Sequence, residues 1–302
     1  MASLLTNMQD VCMELGLPVP NIVIGAGDDQ ITQLTALMNR VGDLLTTEHN
    51  WQELAAEHRF NTVYYQYTGD VTLGSTQITN LSSIAGLTSD FQVVGEGIMQ
   101  DTFVTSVSGT TANLNCPATA TATGVTLTFG QTRYPMPSDY NRMANKTAYN
   151  RSNRWAVVGP KDAQEWQWLK SSYITTGPRM RYRIMGGKFT VWPMATSNVN
   201  LGFEYVSNSW VIGADGSRKT RFTADDDTSL FPDRLLVLGT KLKFFEIKGF
   251  DTTALWQDYN DELSKYKAYE AGADTLSLAP QFANVLLTQN NIPDVGYGNT
   301  TT

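Results

Sequence analysis

The chain has 302 residues, of which 41% are hydrophobic and 11% aromatic, and it carries a formal net charge of −7. This length is enough to bury a core in one large domain or two modest ones, and no apolar run approaches the roughly 20 residues of a membrane-spanning helix. The acidic total argues against a nucleic-acid-binding enzyme that gains its affinity from phosphate contacts. The sequence still allows a local basic face, because 20 of the 22 Lys and Arg residues lie between residues 133 and 267.

The cysteines and the first residues indicate the compartment of folding. Cys12 and Cys116 lie far apart and provide neither a disulfide framework nor the spacing of a zinc site. This usage fits a reducing cytosol, and we expect both to be small buried hydrophobic residues. Residues 1–16 are too polar for a secretory signal.

The first 50 residues predict two helices. Residues 3–16 form the first, with Ser3 as a candidate cap and a Gly-Leu-Pro sequence that ends it. The second begins at Asp28 and Asp29, whose carboxylates can cap free N–H groups. Its predicted buried face has five apolar residues at helical spacing: Ile31, Leu34, Met38, Val41 and Leu45.

The residues before the second helix imitate a dinucleotide-binding turn. A strand-like run, residues 22–24, is followed by Gly25 and Gly27. The third glycine of that pattern is absent, because Gln30 stands in its place, and the two aspartates would repel a pyrophosphate. We therefore interpret the segment as a helix start and not as a cofactor site.

A small all-β module follows. Residues 60–67 predict a strand, and residues 72–129 then become rich in Thr, Ser, Gly and Val and contain no Lys or Arg. Short alternating runs separated by turn residues predict about six strands, arranged as a barrel or a sandwich. The flanking residues 60–63 and 131–137 look like interrupted halves of one hairpin, so we predict that residues 70–130 are an insertion.

After residue 138 the pattern is that of an α+β fold. Gly186 and Gly187, between two alternating runs, predict a β-hairpin turn. A helix is predicted over residues 161–171, with Trp166 and Leu169 facing inward. The predicted strands cover residues 143–150, 155–158, 179–185, 188–192 and 201–207.

Residues 222–271 predict an acidic loop and two amphipathic helices. Gly249 is placed to end the first helix, and Asp251 or Thr252 can cap the second. The predicted buried face of the first helix consists of Leu235, Leu238, Leu242 and Phe245, with Phe244 as a further candidate, and that of the second consists of Leu255, Tyr259, Leu263 and Tyr266.

No pattern in the sequence indicates an active site. His49 and His58 have no His or Cys partner at metal-binding spacing, so we expect both to be structural. Asp225, Asp226 and Asp227 are the best candidates for a cation or paired-carboxylate site. They lack the alternating ligands of a calcium loop, and helix capping or a loop salt bridge is the favoured interpretation. We expect no catalysis, no cofactor and no metal.

Arg179, Arg181 and Arg183 lie at strand spacing, so their charges are expected on one face. Such a face can meet a carboxylate-rich partner or DNA that passes nearby, while a solvated strand face is the simpler interpretation. We keep the three residues as a candidate basic strand that faces a channel or a partner.

The last segment, residues 272–302, is predicted to be an extended C-terminal arm. It carries only two charges, Asp274 and Asp294. In a free tail its apolar side chains would be exposed to water. The segment is therefore expected either to pack around the periphery of its own subunit or to become ordered on a neighbouring subunit. These apolar residues are Leu276, Leu278, Phe282, Val285, Leu286, Leu287 and Ile292.

Six stretches share a characteristic placement of aromatic, glycine and acidic residues: residues 37–54, 134–143 (YPMPSDYNRM), 147–170, 179–193 (RMRYRIMGGKFTVWP), 203–211 and 222–251. Taken in order, they resemble the head-to-tail adaptor (connector) proteins of tailed bacteriophages. The resemblance covers most of the chain outside the β module and the arm. The β module resembles the Thr/Gly-rich modules of many phage structural proteins, and it departs from the simplest adaptors, which lack it.

The resemblance implies a structural role in the virion, at the head–tail junction, after assembly in the host cytoplasm. Such adaptors form a ring, usually of twelve copies, beneath the portal protein and above tail tube or nozzle proteins. They continue the channel through which DNA leaves, without sequence-specific binding, and no membrane is involved. Their C-terminal arms often reach clefts of the portal ring, which here implies a portal-contact role for the apolar residues of the arm.

The expected fold is α+β: a helical-bundle core with a small antiparallel sheet over residues 1–69 and 131–271, the inserted β module over residues 70–130, and the arm over residues 272–302. A second hypothesis is a carbohydrate-binding or host-surface-binding virion protein that acts through the β module. It requires an exposed aromatic platform, yet that segment offers only Phe91, Phe103 and Phe129. A third, enzymatic hypothesis requires carboxylates that converge around the Asp225 loop.

Overall fold

The computed structural model describes residues 1–171 and 180–271. Within them the fold is α+β, as predicted, with helices at both ends of the described chain and strands between them. The helices are α1 (Leu4–Leu15), α2 (Asp29–Glu48), α3 (Ala163–Lys170), α4 (Asp233–Lys248) and α5 (Thr253–Ala271), and a short 3-10 turn covers Gln52–Leu54. No helix in the described ranges combines the length and the apolarity needed to cross a bilayer.

The two N-terminal helices begin at the predicted caps. The Ser3 side chain accepts a hydrogen bond from the Thr6 N–H, and the Asp28 side chain accepts one from the Gln30 N–H at 2.7 Å. All five residues of the predicted α2 face are buried. The helix-start interpretation is therefore confirmed, whereas residues 22–24 contain a bend and a turn and not the strand that their apolar character suggested.

Helices α1, α2 and α4 share one buried cluster, against which α5 also packs. Trp210 lies at its centre, fully buried, with Phe222 edge-on at 5.0 Å and Phe231 stacked at 5.8 Å. Helix α2 approaches this indole at Gly42, where any added Cβ would overlap the ring. A glycine in mid-helix is thus explained by close packing.

Gly42→Ala should lower the free energy of unfolding by about 2 kcal/mol, because an extra methyl group is forced into a filled core. The roughly 1 kcal/mol that alanine gains over glycine in a helix offsets only part of this strain. Urea unfolding followed by circular dichroism measures the change. Leu44→Ala, at a position 46% exposed on the same helix, should shift the value by no more than about 0.5 kcal/mol. Equal effects of the two variants would contradict this role for Gly42.

Six of the strands close into an antiparallel barrel in the order β2-β3-β6-β5-β4-β7. The prediction of about six strands is confirmed, and of the two predicted architectures the structure has the barrel. Val93, Leu127 and Phe129 are among the residues that fill its interior. The strands are β2 (Tyr64–Val71), β3 (Gln77–Thr79), β4 (Phe91–Val94), β5 (Thr102–Ser108), β6 (Thr111–Leu114) and β7 (Ala122–Gln131).

The chain enters and leaves the barrel side by side, through β2 and β7, which pair from Tyr64 opposite Gly130. The segments outside the barrel separate: β1 (Ala55–Asn61) joins β14, and β8 (Arg133–Pro135) joins β13. The predicted flanking hairpin is therefore wrong, since its two halves belong to different sheets. The single strand predicted over residues 60–67 is divided between β1 and β2.

Three antiparallel sheets complete the fold. In one, β14 pairs with β1, β10 and β9; in another, β13 pairs with β12 and β8; in the third, β15 pairs with β16 and β17. The Gly186 and Gly187 turn between β12 and β13 is confirmed, and the strand predicted over residues 143–150 is instead two strands, β9 and β10. The strands not yet given are β9 (Tyr140–Met143), β10 (Tyr149–Asn150), β11 (Trp155–Ala156), β12 (Arg181–Met185), β13 (Lys188–Trp192), β14 (Asn200–Ser207), β15 (Val211–Ile212), β16 (Arg218–Lys219) and β17 (Thr228–Ser229).

The predicted helical hairpin is present as α4 and α5. Gly249 ends α4 in the left-handed conformation at φ 75°, and the Asp251 carboxylate accepts a hydrogen bond from the Thr253 N–H at 3.0 Å. On the predicted α4 face Phe244 is buried, while Phe245 is only partly buried. On α5, Leu263 is buried, and the other three residues of the predicted stripe are half-buried.

The acidic loop before α4 holds the start of α1. The backbone carbonyls of Asp225 and Asp227 accept hydrogen bonds from the first-turn N–H groups of Leu5 and Leu4, at 3.1 and 2.8 Å. The Asp227 side chain forms an ion pair with Lys219 at 2.8 Å. Of the two favoured interpretations the loop salt bridge is confirmed. Capping of α4 is wrong, because its N-cap position is Pro232, which makes no side-chain capping bond.

Candidate interaction surfaces

The described residues contain no cluster of three or more His, Cys, Asp or Glu side chains that could hold a metal ion. Both histidines pack against aromatic rings: His49 lies edge-on to Trp51 at 5.3 Å, and His58 stacks on Phe60 at 5.5 Å. Burial lowers the pKa of His58, and the Asp139 carboxylate partly opposes the shift. These contacts give both rings a packing role, as the sequence predicted.

Arg181 and Arg183 lie on one face of β12, separated by the fully buried Tyr182. Both are half-buried, so this face is neither fully solvated nor fully covered. Their cross-strand neighbours on β13 are Trp192 and Thr190. Arg179, the third member of the predicted series, lies outside the described residues, as do the apolar arm residues Leu276, Leu278, Phe282, Val285, Leu286, Leu287 and Ile292.

The face of the β8–β13–β12 sheet that carries Arg181 and Arg183 also contacts the barrel. Lys188 of β13 reaches the Asp90 carboxylate of the barrel at 2.6 Å, and Lys170 of α3 reaches Asp101 at 3.0 Å. Arg133 of β8 lies 4.6 Å from the centre of the Phe103 ring, on which Lys170 also packs at 4.9 Å. Basic side chains of β8, β13 and α3 therefore contact two carboxylates and an aromatic ring of the barrel.

Sequence reasoning missed this contact, although a signal for it was present. The segment of residues 70–130 holds four acidic residues and no Lys or Arg. Two of the four, Asp90 and Asp101, make the contact with the basic part of the chain. An acidic module followed directly by a basic stretch predicts such an interface, but not which of its acids take part.

Asp90→Asn combined with Asp101→Asn should weaken the attachment of the barrel by about 1–3 kcal/mol, because two partly buried ammonium groups lose their anions. Lys170 is only 16% exposed and cannot fully rehydrate in place. In scanning calorimetry we expect one thermal transition for the native protein and two for the double variant. The matched control is Glu96→Gln, an exposed acid of the same barrel. A double variant that still unfolds in one transition at the original temperature would show that the pairs do not hold the barrel.

A groove of about 370 Å³ lies at the end of α5. Its walls are the 3-10 turn after Trp51, residues 230–232 and the last turn of α5, where Tyr269 is 80% exposed. The Gln52 backbone N–H and side-chain amide each donate a hydrogen bond to Glu270, both at 2.7 Å. We call it the α5-end groove.

Two further exposed surfaces lie on the helices. At the turn between α4 and α5, Ile247, Phe250 and Trp256 are 52%, 58% and 60% exposed. Along the outer face of α2, Arg40 and Arg221 line a groove of about 520 Å³. Large exposed apolar side chains in one region are typical of contacts with other proteins.

The sequence profile of the family described as SU10 adaptor protein matches residues 100–286. The chain belongs to this family. The match begins inside the barrel, includes β5 to β7 and all later described elements, and extends past the end of α5. The comparison with curated proteins gave no match.

Membership of the SU10 adaptor protein family makes the chain a structural protein of a phage virion, which confirms the resemblance found in the sequence. It points to a non-enzymatic role and to interaction with portal and tail proteins. The surfaces that matter are therefore those that can contact other proteins: the α5-end groove, the α4–α5 turn and the outer face of α2.

Proposed function

We propose that the chain forms a ring that joins the portal to the tail and continues the DNA channel, with twelve copies and without sequence-specific DNA binding. The family membership carries this proposal. A ring needs a heterologous interface between two different faces of each copy. The exposed apolar residues at the α4–α5 turn and the exposed outer face of α2 offer such different faces. Assembly is proposed to take place in the host cytoplasm.

In this proposal the helices that share the Trp210 cluster form a helical-bundle core, which together with the sheets covers residues 1–69 and 131–271. Residues 70–130 are the inserted module. The Gln131 N–H donates to the Val63 carbonyl at 2.8 Å, so entry and exit are adjacent, as an insertion requires. Since the Lys188 and Lys170 pairs hold the barrel on the core, the module is a fixed projection of each subunit and not a loosely tethered domain.

Residues 272–302 are proposed as the arm that docks on the portal, through the apolar side chains identified in the sequence. Arg181 and Arg183 are proposed as a partner-facing basic strand, since neither guanidinium forms an ion pair with a carboxylate among the described residues. Their half-buried position favours a protein partner over passing DNA, because contact with DNA in a channel would require fully solvent-exposed guanidinium groups.

Native mass spectrometry of the purified protein, alone and mixed with its portal, tests the proposal. A twelve-fold ring, or a monomer that assembles only on the portal, supports it. A monomer that does not bind the portal would favour the alternative, a carbohydrate-binding or host-surface-binding role of the barrel. That alternative lacks its aromatic platform: Phe91 and Phe129 are buried inside the barrel, and Phe103 is 8% exposed under Arg133.

A further inference from the structure

The groove along the outer face of α2 is basic. Arg40 and Arg221 line it and are exposed, and in the described part of the chain neither forms an ion pair. Asp43, an acid of the lining, accepts a hydrogen bond from the Trp210 indole N–H at 3.4 Å. The lining also includes apolar side chains, of which Ile24 is 37% exposed. This surface, which we call the α2 groove, therefore favours an occupant that is both apolar and acidic.

The α2 groove points away from the helical core. At about 100° per residue, Thr32, Ala36 and Asn39 of its lining lie at least about 140° around the helix from Val41. Val41 packs against α4, where a Cβ on Gly239 would come within 2.6 Å of its side chain. Thr32 and Ala36 are exposed. A partner can therefore reach the groove without displacing any part of the core.

A second groove, of about 440 Å³, lies between α1, α4 and α5 and has the opposite charge. Four acidic and two basic side chains line it, and both basic ones already pair with carboxylates of the same subunit. Asp10 and Asp258 line it too, and neither forms an ion pair with another described residue. Met13, three residues after Asp10 on the same side of α1, is 59% exposed. This surface, the α1–α5 groove, thus offers what the α2 groove favours.

Charge also decides how two copies can meet. Two α2 grooves placed face to face would bring four guanidinium groups together, and two α1–α5 grooves would bring carboxylates together, so both symmetric contacts are disfavoured. The two grooves have no lining residue in common, so one molecule can use both at once. Opposite charges meet only when different faces of two copies are joined, which is a heterologous contact.

We propose that the α2 groove of each subunit receives Met13 and the surrounding acidic surface of the next copy. In this contact the two arginines of the α2 groove face Asp10 and Asp258 of the neighbour. The apolar contact supplies affinity, and the ion pairs set the partner and its orientation. The inference rests on the proposed function, because a ring repeats one contact between two different faces.

Charge reversal followed by mixing tests this contact. One variant combines Arg40→Glu with Arg221→Glu, and the other combines Asp10→Arg with Asp258→Arg. Alone, each should need at least about 100-fold more protein to form rings, because two pairs of like charges then face each other. An equimolar mixture should restore rings in which the two variants alternate, since every contact again joins opposite charges. Native mass spectrometry counts both variants in each ring, with portal present if native rings require it. A mixture that assembles no better than the separate variants overturns the contact.

A milder variant keeps the test decisive if a charge reversal disturbs folding. Asp10→Asn combined with Asp258→Asn preserves side-chain size and should weaken assembly about tenfold at an unchanged melting temperature, because two exposed ion pairs are lost. Glu96→Arg, at an exposed position of the barrel, is the control and should leave assembly unchanged. Rings that survive the double variant as well as the control refute this contact and leave ring formation standing. A native protein that stays monomeric with portal refutes both.

Discussion

A chain that ends at Ala271 should fold normally yet bind portal rings at least about 100-fold more weakly than the full-length protein. Each fully buried Leu, Ile or Phe side chain contributes about 1.5–3 kcal/mol, so losing two of the seven apolar residues of the arm already accounts for that factor. Folding should survive, because α5 is held by Leu263 and by the Glu270 contacts to Gln52, all before residue 272. Titration of portal rings by native mass spectrometry measures the loss.

Two full-length variants test whether docking depends on the apolar side chains of the arm or only on its length. Serine at all seven apolar positions should weaken docking as strongly as truncation does. Asp274→Asn combined with Asp294→Asn, which removes the two charges of the arm, should leave docking intact. A truncated protein that docks like the full-length one would show that the portal is bound elsewhere.

Asp227→Ala should lower the free energy of unfolding by about 3 kcal/mol, because it leaves a partly buried cation and several backbone donors without their buried acceptor. The carboxylate is 1% exposed, pairs with Lys219, and accepts hydrogen bonds from the N–H groups of Thr223 and Ala224 at 2.8 and 2.9 Å. The start of α1, held by the carbonyls of the same loop, should fray first. Urea unfolding at pH 7 gives the magnitude. Asp226→Ala is the control, because its side chain is the exposed neighbour in the same loop.

The same carboxylate predicts a dependence of stability on pH. Burial alone would raise the pKa of Asp227, but Lys219 and the two N–H groups outweigh it, and the pKa is lowered in the folded protein. A group with a lowered pKa contributes stability above its unfolded pKa of about 4 and loses it as the pH falls through the folded value. Stability should therefore drop below about pH 4, and Asp227→Asn should flatten that drop. An unchanged acid slope would mean that other carboxylates govern it.

Local signals in the sequence predicted the elements well. Asp28, Gly249 and the paired glycines at residues 186–187 act on backbone groups within a few residues, so their effects can be read without the tertiary fold. What the sequence could not supply were partners from distant segments. Arg142, for example, caps the end of α2 by donating to the carbonyls of Thr46 and His49 at 2.8 and 2.6 Å, across more than 90 residues.

For the candidate surfaces too, the sequence predicted local features but not the contacts between distant segments. The spacing of Arg181 and Arg183 predicted one shared face of β12, but the sequence did not show that this face lies partly covered beside the barrel. The α5-end groove was not predicted at all, because Trp51 and Tyr269 are more than 200 residues apart and nothing local links them. The two-residue period of a strand shows which side chains share a face. What that face contacts depends on how the elements pack together.

The neighbouring entry and exit of the barrel also determine how the chain responds to tension. A pull that separates residue 61 from residue 133 acts first on the hydrogen bond between Val63 and Gln131, and then on the β2–β7 ladder from its open end. Ladder bonds loaded in this direction break one after another, since each is perpendicular to the strands. A force between these two residues would therefore open the barrel stepwise along β2 and β7, beginning at its junction with the two neighbouring sheets.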